Sequence, residues 1–121
     1  MNIQKFTQKS MEAVEGCQKL AYEYGHQEIE QEHLLYSLLT IEDSLIYKLI
    51  EKMEINAPHF QNRVEQALQK RPKLQGGELR VGADLNKVLI CAEDEAKRLG
   101  DEYVSVEHLF LSMIQYPNKE M

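Results

Sequence analysis

The sequence contains nearly the same phrase twice, as IEQEHLLYSLL at residues 29–39 and as VSVEHLFLSMI at residues 104–114. Each copy places an adjacent Glu-His pair directly before a run of apolar residues. Within each run the apolar side chains recur at steps of three and four, the spacing that puts them on one face of an α-helix. The phrase therefore predicts two equivalent amphipathic helices, each with an acidic residue at its entrance.

The similarity extends upstream of the two phrases. Residues 81–114 align with residues 6–39 without a gap, and apolar positions coincide as well as identical ones. Such an alignment indicates one helical unit used twice. Two units of this kind bury their apolar faces against each other, which predicts an all-α domain with pseudo-two-fold symmetry. The identical pairs are Ala21 and Ala96, Gly25 and Gly100, Glu32 and Glu107, His33 and His108, Leu34 and Leu109, and Ser37 and Ser112.

Local signals predict where helices begin and end. Thr7 is a suitable N-cap for the first helix, because its hydroxyl can accept from the free amides of the first turn. Gly25 and Gly100 suit the left-handed position that follows a helix. Pro58 predicts the start of a fourth helix, since its missing amide is not needed there. We expect about six helices and no convincing strand.

One domain is expected over residues 1–121, with repeat one at 1–70, a linker at 71–80 and repeat two at 81–121. The linker lies within KRPKLQGGELR and contains one proline and two glycines, which are typical of a connecting loop. Its basic side chains are expected to be solvated. Repeat one continues into two more helices after its Glu-His helix. Repeat two stops soon after its own, so we expect it to be truncated.

Composition excludes several classes of protein. Fourteen basic against twenty acidic side chains give a net charge of −6, which opposes binding to a phosphate backbone. No apolar run is long enough for a membrane span, and the N-terminus does not resemble a signal peptide. Cys17 and Cys91 stand far apart, as expected of reduced buried thiols. These features predict a cytoplasmic protein without nucleic-acid or membrane partners.

The Glu-His pairs have a structural and several functional interpretations. In the structural one, Glu32 and Glu107 stabilise helix starts through the helix dipole, while each His bonds to a neighbouring loop. A metal site is disfavoured: Glu30 and His33 have the spacing of a di-iron bundle, but Ser105 breaks the pattern in the second copy. Neither a nucleophile motif nor a phosphate-binding loop occurs, so no catalytic residue and no cofactor are predicted. A third interpretation is an acidic anchor beside an apolar groove that binds an extended peptide.

Four stretches together carry a family resemblance: FTQKSMEAV at 6–14, EYGHQEIEQEHLLYSLL at 23–39, RPKLQGG at 71–77 and DEYVSVEHLFLSMI at 101–114. In this order they resemble the N-terminal Clp repeat domain of the Clp/Hsp100 AAA+ unfoldases, most of all the type found in the ClpB disaggregases. The likeness covers essentially the whole chain.

The resemblance implies a non-catalytic domain that receives unfolded or aggregated polypeptides, or adaptor proteins, for an attached hexameric motor. ATP and magnesium would bind in the motor's downstream modules. Because the family domain has eight helices, the chain resembles a fragment, and parts of the apolar stripes at 85–99 and 109–114 are expected to be exposed. A fragment of this kind would be a monomer or a weakly self-associating dimer. A purely structural or regulatory module is the alternative.

The resemblance also implies which residues bind. In ClpB-like domains the matching positions are Thr7, Asp101 and Glu107, which are linked to substrate handling. In ClpC-like relatives the two Glu-His glutamates, Glu32 and Glu107 here, receive phosphorylated arginine with help from a threonine near the start of each repeat. Thr7 matches the first threonine, whereas Gly82 replaces the second and departs from that pattern.

Overall fold

The computed structural model describes residues 5–73 and 79–117, and within them the chain forms six helices and two very short strands. Leu74–Glu78, in the predicted linker, lie outside the described residues. In chain order the elements are α1 Gln8–Glu23, β1 Glu28–Ile29, α2 Gln31–Thr40, α3 Leu45–Lys52, α4 Ala57–Lys70, β2 Arg80–Val81, α5 Ala83–Arg98 and α6 Val106–Gln115.

The predicted helix ends are confirmed. Thr7 is the N-cap of α1, and its hydroxyl accepts from the Ser10 amide at 3.2 Å. Gly25 and Gly100 follow α1 and α5 with φ of 72° and 77°, a left-handed conformation that costs glycine little. Pro58 is the second residue of α4 rather than the first, where it also needs no intrahelical amide bond.

The two predicted repeats are confirmed by matching bonds. Adding 75 to the residue numbers of α1 and α2 gives the bounds of α5 and α6. The Ser37 hydroxyl donates to the Ala13 carbonyl at 2.7 Å, and its counterpart Ser112 donates to Val88 at 2.8 Å. Both serines are buried, so the same polar bond joins the first two helices of each repeat.

Short strand pairings join the repeats, although no convincing strand was predicted from the sequence. Strands β1 and β2 pair in parallel, and Phe6 forms an equivalent bridge with Val104. Thr7 donates its amide to Val104, and Gly82 donates to Ile29, both at 2.9 Å. The segment before each repeat's first helix thus pairs with the loop before the other repeat's second helix. Two-residue strands are too short to show an alternating pattern.

The core lies between the helices of both repeats, with α2 at its centre. This helix packs on α1, α3, α4, α5 and α6. Its four leucines, predicted as one apolar face, are all buried, as are most apolar residues of α5 and α6. The fully buried large residues include Leu34, Leu38, Ile46, Leu68, Leu85, Val88, Leu109 and Met113.

Two expectations need adjustment. The stripes of α5 and α6 are mostly buried, because the two helices pack on each other, α2 packs against both, and α1 and α3 pack against α6. Leu99 and Ile114, however, are 51% and 57% exposed, as expected. Arg71, expected to be a solvated linker residue, instead forms an ion pair with the buried Glu32. Among the described residues, no helix is both long and apolar enough to span a bilayer.

Candidate functional site

Helices α2 and α6 begin with the same local arrangement, which we call the α2 entrance and the α6 entrance. At each, the third helical residue is a histidine whose Nδ1 accepts the amide of the N-cap residue. The His33 bond from Glu30 and the His108 bond from Ser105 are both 2.9 Å. These imidazoles satisfy a backbone donor as the Glu or Gln of a capping box does. The Glu-His glutamates lie at the helix starts, as predicted, and each occupies the second helical position.

The other nitrogen of each histidine bonds to the loop before its helix. His33 Nε2 lies 2.8 Å from His26 Nδ1, and His108 Nε2 lies 2.8 Å from Asp101 Oδ2. Since Nδ1 accepts in both rings, Nε2 carries the proton and donates. The structural interpretation of the histidines is therefore confirmed. Both nitrogens of His33 are engaged in hydrogen bonds within the protein.

The α6 entrance opens to solvent. Asp101 and Glu107 line one shallow pocket of about 450 Å³, together with Ser105 and His108. Both carboxylates are exposed, and across residues 5–73 and 79–117 Glu107 makes no ion pair. The pocket also exposes Leu99, Tyr103 and Leu111. Two predicted site residues thus meet here, beside apolar surface.

Thr7 lies near this entrance but does not line its pocket. Its backbone amide donates to Val104, directly before the N-cap of α6, while its hydroxyl is engaged in capping α1 and bonding Ser10. The side chain is partly buried. Thr7 therefore positions the loop that carries the α6 entrance, and any contact with a ligand remains a prediction.

The α2 entrance is closed. Glu32 is 1% exposed, and its Oε2 accepts from Arg71 Nε at 2.6 Å, with Arg71 Nη2 at 2.5 Å. Arg71 Nη2 also lies 3.8 Å from Glu30 Oε2. Glu32 does not line the pocket that Asp101 and Glu107 share. The four predicted residues do not form one site.

Burial sets the charge states at the α2 entrance. It raises the pKa of Glu30 to about 6, against the opposing effect of Arg71. It also lowers the pKa of His33 to about 4, and His26 and Arg71 add to the shift. His26 has a lowered pKa for the same first reason, and it stacks on Tyr24. The histidine pair is therefore neutral near pH 7.

A larger apolar groove lies between the repeats, and sequence reasoning did not place it. It has a volume of about 620 Å³, and Glu32 and Lys70 are among the residues at its wall. The groove lies between α4, the end of α3 and the end of α6, and α6 is far from the other two helices in sequence. Its apolar lining comprises Leu35, Ile50, Met53, Ile55, Phe60, Val64, Ala67, Phe110, Met113, Ile114 and Pro117.

These features define a class of protein: a duplicated helical domain with one open and one closed acidic entrance and an apolar groove between its halves. Within the described residues, no three His, Cys, Asp or Glu side chains gather where they could hold a metal ion. The arrangement is suited to binding a polypeptide through short acidic and apolar contacts.

The sequence profile of the Clp repeat (R) N-terminal domain matches residues 5–121. Chaperone protein ClpB from Nitratidesulfovibrio vulgaris is 40% identical over 122 residues, covering 97% of this chain and 14% of that protein. ClpB from Porphyromonas gingivalis is 38% identical, covering 94% and 13%. The chain belongs to the Clp N-terminal repeat family, and it spans about one seventh of the length of these curated relatives.

Solved structures show the same fold. The Hsp104 N-terminal domain from Candida albicans matches with a TM-score of 0.85 at 20% identity, covering 93% of this chain and 75% of that one. The N-terminal domain of the ClpV1 ATPase from Escherichia coli matches with a TM-score of 0.87 at 22% identity, covering 95% and 71%. A further match, at a TM-score of 0.77 and 21% identity, is a ClpV N-domain in complex with a VipB peptide; it covers 98% and 75%.

Proposed function

We propose that this domain is a non-catalytic recognition module, which delivers unfolded or aggregated polypeptide to an attached ATP-dependent unfoldase of the ClpB type. The observation that carries the proposal is the α6 entrance, where two exposed carboxylates stand beside exposed Leu99, Tyr103 and Leu111. An unfolded chain presents apolar and basic side chains together, and this surface offers a partner for both. ATP and magnesium belong to the attached motor, which we propose to be hexameric.

The pocket is shallow, so binding to one domain is expected to be weak. An unfolded segment loses conformational freedom when it is held, and that loss offsets much of the contact energy. Several copies held in one ring would raise the effective concentration and compensate. The match to a ClpV N-domain bound to a VipB peptide supports the use of this fold for peptide binding, although VipB itself is that protein's partner.

The experiment is a titration of a fluorescently labelled, permanently unfolded protein with the domain. Asp101→Asn and Glu107→Gln are expected to weaken binding about three- to tenfold each, since each removes one charged contact. Asp94→Asn, on the exposed side of α5, makes the same change in charge away from the pocket and should bind like the wild type. Equal affinity of all four proteins would contradict the proposed site.

A second candidate is recognition of phosphorylated arginine, as in the ClpC-like relatives. The α6 entrance supports it with an exposed carboxylate at the second helical position, next to backbone amides that favour a phosphate. A phosphoarginine peptide titrated in parallel separates the candidates. If Glu107→Gln no longer bound the phosphoarginine peptide but still bound the unfolded protein, the ClpC-like role would be favoured. If the wild type bound neither ligand, a structural or regulatory module would be favoured.

A further inference from the structure

Asp101 is fixed both at its backbone and at its side chain, although about half of that side chain is exposed. Its amide donates to the Ala96 carbonyl at 2.8 Å, which closes the turn at Gly100 that follows α5. Its Oδ2 accepts from His108 Nε2 at 2.8 Å, and the side chain is 52% exposed. The carboxylate therefore lines the pocket of the α6 entrance from a fixed place.

The histidine that holds this carboxylate offers almost no surface of its own. His108 is 5% exposed, and its Nδ1 accepts the Ser105 amide at 2.9 Å. The Ser105 hydroxyl lies 3.0 Å from the same nitrogen. Because Nδ1 accepts, the proton of the neutral ring is on Nε2, where it points at Asp101. One buried ring thus connects the start of α6 to an exposed carboxylate.

Repeat one contains the same histidine with a different partner. Asp101 corresponds to His26, whose amide donates to the Ala21 carbonyl at 2.9 Å in the matching turn after α1. His33 Nε2 therefore meets a second imidazole, and both rings are buried. The bond to the helix start is common to the two repeats. In repeat two, however, the other nitrogen holds a carboxylate at the edge of an open pocket.

We propose that His108 is a positioning residue of the α6 entrance, which holds Asp101 in the orientation that binds a basic group of the polypeptide ligand. An exposed aspartate without such a bond samples several side-chain rotamers, and fixing one of them on binding weakens the affinity. The bond from His108 fixes the rotamer before the ligand binds. It uses Oδ2, and across the described parts of the chain Oδ1 accepts no hydrogen bond. Oδ1 is therefore the oxygen that receives the donor of the ligand.

This inference rests on the proposed function, because it concerns the same pocket, and it adds a residue that does not itself offer a surface to the ligand. The two claims can fail separately. If Asp101→Asn binds unfolded protein like the wild type, the carboxylate is not part of the site and the proposed contact at Asp101 fails. If Asp101→Asn weakens binding but the loss of the histidine bond does not, the positioning role of His108 alone fails.

The test is a titration of the labelled unfolded protein with variants at His108. His108→Leu keeps a side chain of similar size without a ring proton, and it should weaken binding about three- to tenfold, as Asp101→Asn does. His108→Gln should bind like the wild type, because its carboxamide can accept the amide of the N-cap residue and donate to Asp101. His108→Leu combined with Asp101→Asn should bind no more weakly than Asp101→Asn alone, since both changes remove the same contact.

His33→Leu is the matched control for the loss of the helix-start bond. It removes the same bond from an N-cap amide in repeat one, where the histidine holds no carboxylate of the pocket. It should lower the midpoint of thermal unfolding, as His108→Leu does, but leave the affinity for unfolded protein unchanged. Weakening of binding by His33→Leu to the same extent as by His108→Leu would overturn the inference, because the effect would then be one of stability.

Coupling constants of the β-protons give a second test that needs no variant. In the wild type, those of Asp101 should report one side-chain rotamer, whereas those of Asp94, which is exposed on α5, should be averaged over several. Averaged values at both aspartates would show that His108 does not fix the carboxylate, and the inference would be wrong whatever the variants at His108 do.

Discussion

The residue with the clearest isolated role is Gly100, whose φ is 77° and whose added Cβ would meet no atom within 4 Å. Replacing it with alanine therefore tests backbone conformation without a steric clash. We expect Gly100→Ala to lower the free energy of unfolding by about 1 kcal/mol, measured by urea denaturation. Gly100→Asn is the matched control, since asparagine tolerates this conformation better. An alanine variant as stable as the wild type would contradict the role of this φ.

Glu30 is a residue whose burial costs stability at neutral pH. Its pKa is raised from 4.5 to about 6 in the folded protein, so between these values the folded state binds more protons than the unfolded state. Stability conferred by the protonated form is thus present below pH 4.5 and lost as the pH rises through 6. We expect Glu30→Gln to be more stable than the wild type by about 1–2 kcal/mol at pH 7.5 and equal to it at pH 4.

The check is urea unfolding of both proteins at the two pH values. Glu28→Gln is the control, because Glu28 is a neighbouring carboxylate that is partly exposed and pairs with Arg80 on the surface. If the extra stability of Glu30→Gln over the wild type increased on acidification, the pKa of Glu30 would be shifted in the opposite direction.

His33 has the opposite dependence on pH. Its pKa is lowered from 6.5 to about 4, so on acidification the unfolded state takes up a proton before the folded state does. Stability from the neutral ring is therefore present above pH 6.5 and is lost as the pH falls toward 4, by up to about 3 kcal/mol. In proton spectra of the folded domain, the His33 ring should not titrate above pH 5. A His33 ring that titrates near pH 6.5 would exclude this effect.

At the scale of elements, the two buried serines test whether the repeats are equivalent energetically as well as geometrically. Ser37→Ala and Ser112→Ala each remove one bond between the paired helices of a repeat. We expect each to cost about 1 kcal/mol in urea unfolding. Thr40→Ala is the control, because that exposed hydroxyl bonds within its own helix. A large cost in one repeat alone would show that the other does not use the bond.

The features that were predicted from the sequence, the helix ends and the buried side of α2, depend on residues that are close together in the chain. Thr7, Gly25 and Gly100 act within one turn of their helices, and the leucines of α2 mark its buried side by spacing alone. The loop partners of the histidines were also within reach, since His26 precedes His33, and Asp101 precedes His108, by the same seven residues. That spacing is a signal that sequence reasoning did not use.

The closed entrance and the groove could not be found in this way, because they depend on the whole molecule. Arg71 and Glu32 are 39 residues apart, and nothing near either one distinguishes a buried ion pair from a solvated charge. The groove likewise arises where α3 and α4 of repeat one meet the end of α6. Its apolar residues continue helical patterns that look like ordinary core positions, and packing decides which of them stay exposed.

The exposed part of that groove leads to a prediction about the whole molecule, that the domain alone is a monomer that associates weakly. Met53 and Ile114 are 53% and 57% exposed at its wall, and burying apolar surface of this kind favours contact between copies. In sedimentation velocity experiments we expect a dimer with a Kd of about 1 mM.

Ile114→Gln should raise that Kd about three- to tenfold, by about 1 kcal/mol of lost apolar burial. Ile90→Gln, which alters a residue 50% exposed on α5 outside the groove, should leave it unchanged. Association weakened equally by both substitutions would place the contact elsewhere on the surface.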